Sequence, residues 1–99
     1  MGVSTISSNH GSIVIEEKTI VSGASASTSY YEQQVSVSKS GYTLIGVGAS
    51  LSSTGIRFYK LRPRSGNIVE VGFATYNNTG TINNISVYAT LTYARNDLL

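Results

Sequence analysis

The sequence predicts an all-β fold, an antiparallel sandwich of jelly-roll-like outline with about six to eight short strands. Three observations carry that prediction. Apolar residues recur at a period close to two almost throughout, β-branched residues dominate, and turn residues separate the runs at hairpin spacing. No segment sustains a helical period, and no repeat of fixed length is visible.

Residues 1–11, MGVSTISSNHG, are polar and without period, and are expected as a flexible N-terminal segment ahead of a single domain over 12–95, with 96–99 as a tail. SIVIEEKTIV is apolar on both faces at its start and charged in its middle. Residues 22–29, with GASAST at their centre, are small and polar enough for a loop or crossover. YYEQQVSVS places Tyr31, Gln33, Val35 and Val37 together. YTLIGVGASL sets Ile45, Val47, Ala49 and Leu51 against Tyr42, Leu44, Gly46, Gly48 and Ser50. GIRFYKL opposes Ile56 and Phe58 to Arg57, Tyr59 and Leu61, and NIVEVGFATY opposes Val69, Val71 and Phe73 to Ile68, Glu70, Gly72 and Ala74. The clearest strand is ISVYATLTY, with Ile85, Val87, Ala89, Leu91 and Tyr93 on one face and Ser86, Tyr88, Thr90 and Thr92 on the other. Between these runs lie Ser40-Gly41, Ser53-Thr54-Gly55, Arg62 to Asn67 with the only proline, and Asn77-Asn78-Thr79-Gly80.

The face carrying Gly46 and Gly48 is nearly bare of side chains. Glycine inside a strand marks a bend or a close approach of another backbone or a ligand. One expectation is a bend covered by a cross-strand aromatic such as Tyr59. The other is a subunit interface at Tyr42, Leu44, Gly46 and Gly48.

A chain of 99 residues makes one domain that buries roughly 65% of its unfolded surface. Leu, Ile, Val and Phe number 26, enough to fold but giving a thin core, and without cysteine neither a disulfide nor a thiolate metal site can add to it. Self-association is the simplest further source of burial. Ser and Thr supply another 26 residues while charged residues are only 12%, a surface unusual for a cytosolic enzyme. No apolar run is long enough for a membrane span, the start lacks a secretion signal, and Ile6 stands where a myristoylation motif needs Ser or Thr, so a soluble chain with no membrane insertion is expected.

Catalytic chemistry finds little to use. His10 is the only histidine and has no acidic or histidine partner at useful spacing, so no Ser-His-Asp arrangement can be assembled. Glu16, Glu17, Glu32, Glu70 and Asp97 are read as solvated strand positions; Glu32 with Glu70 would serve glycoside hydrolysis only if their carboxylates lay ~5–10 Å apart. GVGASLSSTG has no helix after it and is not a phosphate loop. Neither a metal nor a cofactor is expected, and the chain is not expected to be an enzyme.

Binding chemistry is better represented. RFYKLRPR holds Arg57, Lys60, Arg62 and Arg64, four of the seven positive charges, around Tyr59, a combination suited to phosphate, to a sialic or uronic acid, or to single-stranded nucleic acid. A net charge of only +2 makes nucleic acid an unexpected partner. The seven tyrosines include Tyr30, Tyr76 and Tyr88 away from the predicted core, where a phenol offers a flat apolar face and a polar tip. Candidate ligand-binding residues are therefore Tyr30, Tyr59, Tyr76, Tyr88, Arg57, Arg62, Arg64, Asn77 and Asn78.

The run Lys39, Ser40, Gly41, Tyr42, Thr43 and Gly46, followed by an aromatic and β-branched middle, a strand with Val69 and Val71 ending at Asn77-Asn78, and a last strand, resembles the small C-terminal β-modules of bacteriophage and prophage tail, baseplate and tail-fibre proteins of gut bacteria. The resemblance spans about Gln34 to Tyr93, and the matched residues are structural. It implies a homotrimer in a virion, contacting other tail proteins and binding a bacterial surface glycan or wall polymer non-covalently, with multivalency adding weak sites together. The basic RFYKLRPR stretch departs from the Ser/Asn-rich middle of such modules. The alternative is a structural tail or capsid-decoration protein that touches only other virion proteins.

Overall fold

The computed structural model describes residues 4–6, 12–28, 30–76 and 80–98, the first three as backbone only. Among these described residues seven strands follow in order: β1 (Ser4–Ile6), β2 (Ile13–Ala26), β3 (Tyr31–Ser36), β4 (Tyr42–Leu51), β5 (Ile56–Arg64), β6 (Ile68–Thr75) and β7 (Ile82–Arg95), with a 3-10 turn at Asn96–Leu98. All pairings are antiparallel. The strands form a four-stranded sheet, β1-β2-β7-β4, and a three-stranded sheet, β3-β6-β5. The all-β expectation holds, and among the described residues no helix is long and apolar enough to cross a membrane.

One core serves both sheets. Alternation along β7 buries Ile85, Val87, Ala89, Leu91 and Tyr93, and alternation along β6 buries Val69, Val71 and Phe73 completely. Ile20 and Val21 of β2, Leu44 of β4 and Ile56 of β5 belong to the same apolar cluster. Phe73 stacks on Tyr31 with ring centroids 4.7 Å apart. The molecule measures 48 × 23 × 18 Å. Its length follows from the 14-residue strands β2 and β7, which at ~3.3 Å per residue span nearly the whole long axis.

Two sequence expectations are corrected, at residues 22–26 and in β4. Residues 22–26 are strand: β2 continues to Ala26, accommodating register shifts between Thr19 and Ala26, and Gly23 adopts φ 69° within them. Ser4–Ile6 pairs with Ile15–Glu17, so the N-terminal segment adds an edge strand too short to betray a period. The tail is pinned, since the Asn96 amide donates to the Gly41 carbonyl at 2.9 Å and the Thr43 hydroxyl to the Asn96 side chain. In β4 a bulge at Ile45 reverses the faces, leaving Ile45 47% exposed while Leu44 is buried and Val47, Ala49 and Leu51 still pack on the core.

The sheets are also tied by hydrogen bonds at one end. Asn67 closes the β5–β6 turn at φ 57°, a left-handed conformation that Asn tolerates. Its side-chain amide donates to the Tyr42 carbonyl (3.0 Å) and accepts from the Leu44 amide (2.9 Å), imitating a strand partner for the start of β4. Its own carbonyl accepts from the Val37 amide (2.9 Å), and the Val37 carbonyl accepts from the buried Tyr93 hydroxyl (2.6 Å). Nearby, Lys39 reaches the buried Glu16 at 2.7 Å and lies 5.0 Å above the Tyr42 ring. Replacing Asn67 by Asp keeps the turn but removes the donor to Tyr42, and is expected to cost about 1–3 kcal/mol in urea denaturation. An unchanged midpoint would show that the amide does not join the sheets.

Candidate functional site

The outer face of the three-stranded sheet gathers half of the charged residues, including four of the seven cations, and one extra residue is the reason. Phe58 pairs with Phe73 and Lys60 with Gly72, so Tyr59 is a bulge. Past it the faces of β5 exchange: Leu61 and Pro63 lie opposite the buried Val71 and Val69, while Lys60, Arg62 and Arg64 lie opposite Gly72, Glu70 and Ile68. Arg57, opposite Ala74 before the bulge, shares this outer face. Unbroken alternation would have sent Leu61 outward and divided the cations between the two faces. Leu61 is instead packed against the core.

Tyr59 lies across the sheet at Gly72. A Cβ on Gly72 would sit 2.6 Å from the ring's Cζ, so only glycine leaves room for the phenol. The aromatic cover expected at Gly46 and Gly48 is therefore found at Gly72. The Tyr59 hydroxyl donates to the Tyr31 carbonyl and to Glu32 Oε2, each at 3.2 Å, and Lys60 reaches Glu32 Oε1 at 3.3 Å. The Tyr30 ring packs on Tyr59 with centroids 4.0 Å apart, yet Tyr30 stays 64% exposed. Burial first, and then the bond to Glu32, pushes the Tyr59 hydroxyl up to about 12.

Beside this platform Glu70 accepts from Arg62 Nε at 2.6 Å and from Arg64 Nη1 at 3.3 Å. The carboxylate is buried, whereas the two guanidiniums are about half exposed. The hydrogen bond from Arg62 is the main reason that the Glu70 carboxyl is held below the usual glutamate range. Four cations, Arg57, Lys60, Arg62 and Arg64, thus share the face with two carboxylates, Glu32 and Glu70. Among the described residues Arg57 has no carboxylate within ion-pair distance, leaving a local excess of positive charge.

The structure brings together Tyr30, Tyr59, Arg57, Arg62 and Arg64 from the expected ligand-binding set. Tyr88 is 49% exposed on the outer face of the other sheet, and Tyr76 is 52% exposed beyond the end of β6, its amide donating to the Gly55 carbonyl. Asn77, Asn78 and His10 lie outside the described residues. Of the expected interface residues, Leu44 belongs to the core and Tyr42 packs against it, whereas Gly48 is exposed and a Cβ there would meet nothing within 4 Å.

Glu70, like Glu16, is buried rather than solvated as its sequence context predicts. The signal was present: a three-residue turn at 65–67 pairs Arg64 with Ile68 and so places Glu70 opposite Arg62. Glu32, opposite Gly72, lies diagonal to Glu70 on the same face, about 7–8 Å away by strand geometry. The pair is therefore not on distant surfaces. Glycoside hydrolysis pairs one protonated with one ionised carboxyl, and Glu70, held below the usual glutamate range, is not suited to be the protonated member. Among the described residues no group of three or more His, Cys, Asp or Glu side chains could hold a metal ion. No protein-family model, no curated protein and no solved structure matches this chain.

Two titrations check the geometry. In alkaline absorbance titration Tyr59 is expected to ionise near 12, above the ordinary 10.0, and Gly72→Ala, by displacing the ring, to return that component toward 10.0. Because Glu70 has a depressed folded value, its contribution to stability is present above the ordinary 4.5 and is lost as pH falls through the folded value. Acid unfolding of Glu70→Gln should accordingly show a shallower loss over that window than the parent protein.

Proposed function

We propose that the chain is a non-catalytic binding module of phage-tail type. In this reading it forms a jelly-roll-like sandwich, assembles as a homotrimer within a virion alongside other tail proteins, and holds a bacterial surface glycan or wall polymer non-covalently. The observation that carries the reading is the outer face of β3-β6-β5, where exposed Tyr30, just before β3, lies beside a surplus of cations over carboxylates. Aromatic rings take the apolar faces of sugars, and guanidiniums take oxyanions through paired N–H donors. Three copies would let weak single sites add through effective concentration.

A specific observation also favours a structural role. The outer face of the four-stranded sheet is open at Gly48, with exposed Ser50 and Thr90 beside it, and such a flat surface suits contact with another virion subunit. The two readings use opposite faces and differ in whether the charged face holds a glycan or the chain contacts only other virion proteins.

Light scattering is expected to give about three times the 10.5 kDa chain mass, and an array of bacterial surface glycans and teichoic acids is expected to show binding that weakens with added salt. A monomeric mass would remove the trimer. An intact oligomer that binds no glycan or wall polymer would leave the structural role.

A further inference from the structure

We infer that Arg62, Arg64 and Glu70 form a pre-set oxyanion pincer, and that with the Tyr30–Tyr59 platform it selects sugars bearing a carboxylate or phosphate. The inference rests on the binding reading above and names the chemistry of the ligand. The pincer is assembled before any ligand arrives. Glu70 is buried and accepts from both arginines, so each guanidinium is already oriented and only part of its donor set is committed. Arg62 is engaged through Nε, and Arg64 through Nη1. Each of these planar groups carries five N–H donors, so several remain for a second oxyanion on the solvent side. Two positive charges around one negative charge leave that second anion favoured.

The spacing fits a sugar. Glu70 and Gly72 are successive outward positions of β6, about 6.6 Å apart along the strand. The pincer sits over the first and the Tyr59 ring over the second, with Tyr30 against it. That interval is the scale of one pyranose ring, so a ring resting on the Tyr59 side of the platform would extend its anionic substituent to the arginines. Immobilised side chains lower the ordering cost of binding. A neutral sugar would meet the aromatic surface but leave the pincer unused.

Calorimetric titration of the full chain with three probes tests this: a glucuronate-containing oligosaccharide, a polyglycerol phosphate carrying glucosyl groups, and a neutral dextran oligosaccharide. One or both acidic probes are expected to bind about tenfold or more tightly than the neutral one. The carboxylate and phosphate arms distinguish the two sources of the oxyanion. Arg64→Gln, which leaves the Arg62–Glu70 bond in place, should remove most of that preference, and Arg62→Lys with Arg64→Lys should weaken it although the charge is unchanged. Tyr30→Ala, at an exposed position, should weaken all sugar probes together. Equal binding of acidic and neutral probes, or an acidic preference unaffected in Arg64→Gln with an unchanged melting curve, would overturn the pincer while leaving the binding module standing. Failure of all three probes would overturn both.

Discussion

Tyr59 lying over Gly72 is the constraint on which the arrangement of this protein's charged face depends. The extra residue lets β5 begin with Ile56 and Phe58 inward and still end with Leu61 and Pro63 inward, so the short sheet stays apolar beneath. Gly72 gives the ring its place, and the hydroxyl's bonds to Tyr31 and Glu32 fasten the bulge to the far strand of the sheet. Without the bulge the arginines after it would face the core, where unpaired charge is costly. Fold and surface chemistry are set by the same residue.

The two outer faces differ in kind. On β3-β6-β5 every position of the central strand is at least half-buried because long side chains from its neighbours close over it. Arg62 and Arg64 bond to the buried Glu70 while about half of each side chain stays exposed. On β1-β2-β7-β4 the corresponding surface near Gly48 is open and hydroxyl-lined. Ion pairs at such exposed heads add little to stability. Their effect is on where charge stands and how freely it moves.

What could be read from sequence was alternation. β6 and β7 are unbroken over their core-facing stretches, and the residues that alternation groups there, Val69, Val71, Phe73, Ile85, Val87 and Leu91, are the ones buried. Ile45 and Tyr59 defeated the same reasoning because a period of two carries no record of an inserted residue: everything past the insertion changes face. The small side chains of residues 22–26 resemble a loop in sequence, whereas β7 supplies enough pairing to hold them extended. The site was half legible. Clustering of Arg57, Arg62 and Arg64 was plain in the chain, but their sharing one face, and the burial of Glu70 beneath two of them, required the register of the Ser65-Gly66-Asn67 turn. Asn67 itself gave no sign of bridging the sheets, since its partners lie 23 and 25 residues away.

The position of β7 bears on how the molecule comes to exist. It follows every other strand along the chain, yet it sits between β2 and β4, which have no pairing with each other. While a ribosome is still adding residues before 82, the longest early strand therefore lacks its main partner and offers an unsatisfied edge to neighbouring chains. Closure must join Ile13 to Ala94, a distant contact of the kind that slows folding. Assembly of the sheets thus waits for β7 to be made, and the interval before it is when clumping threatens most.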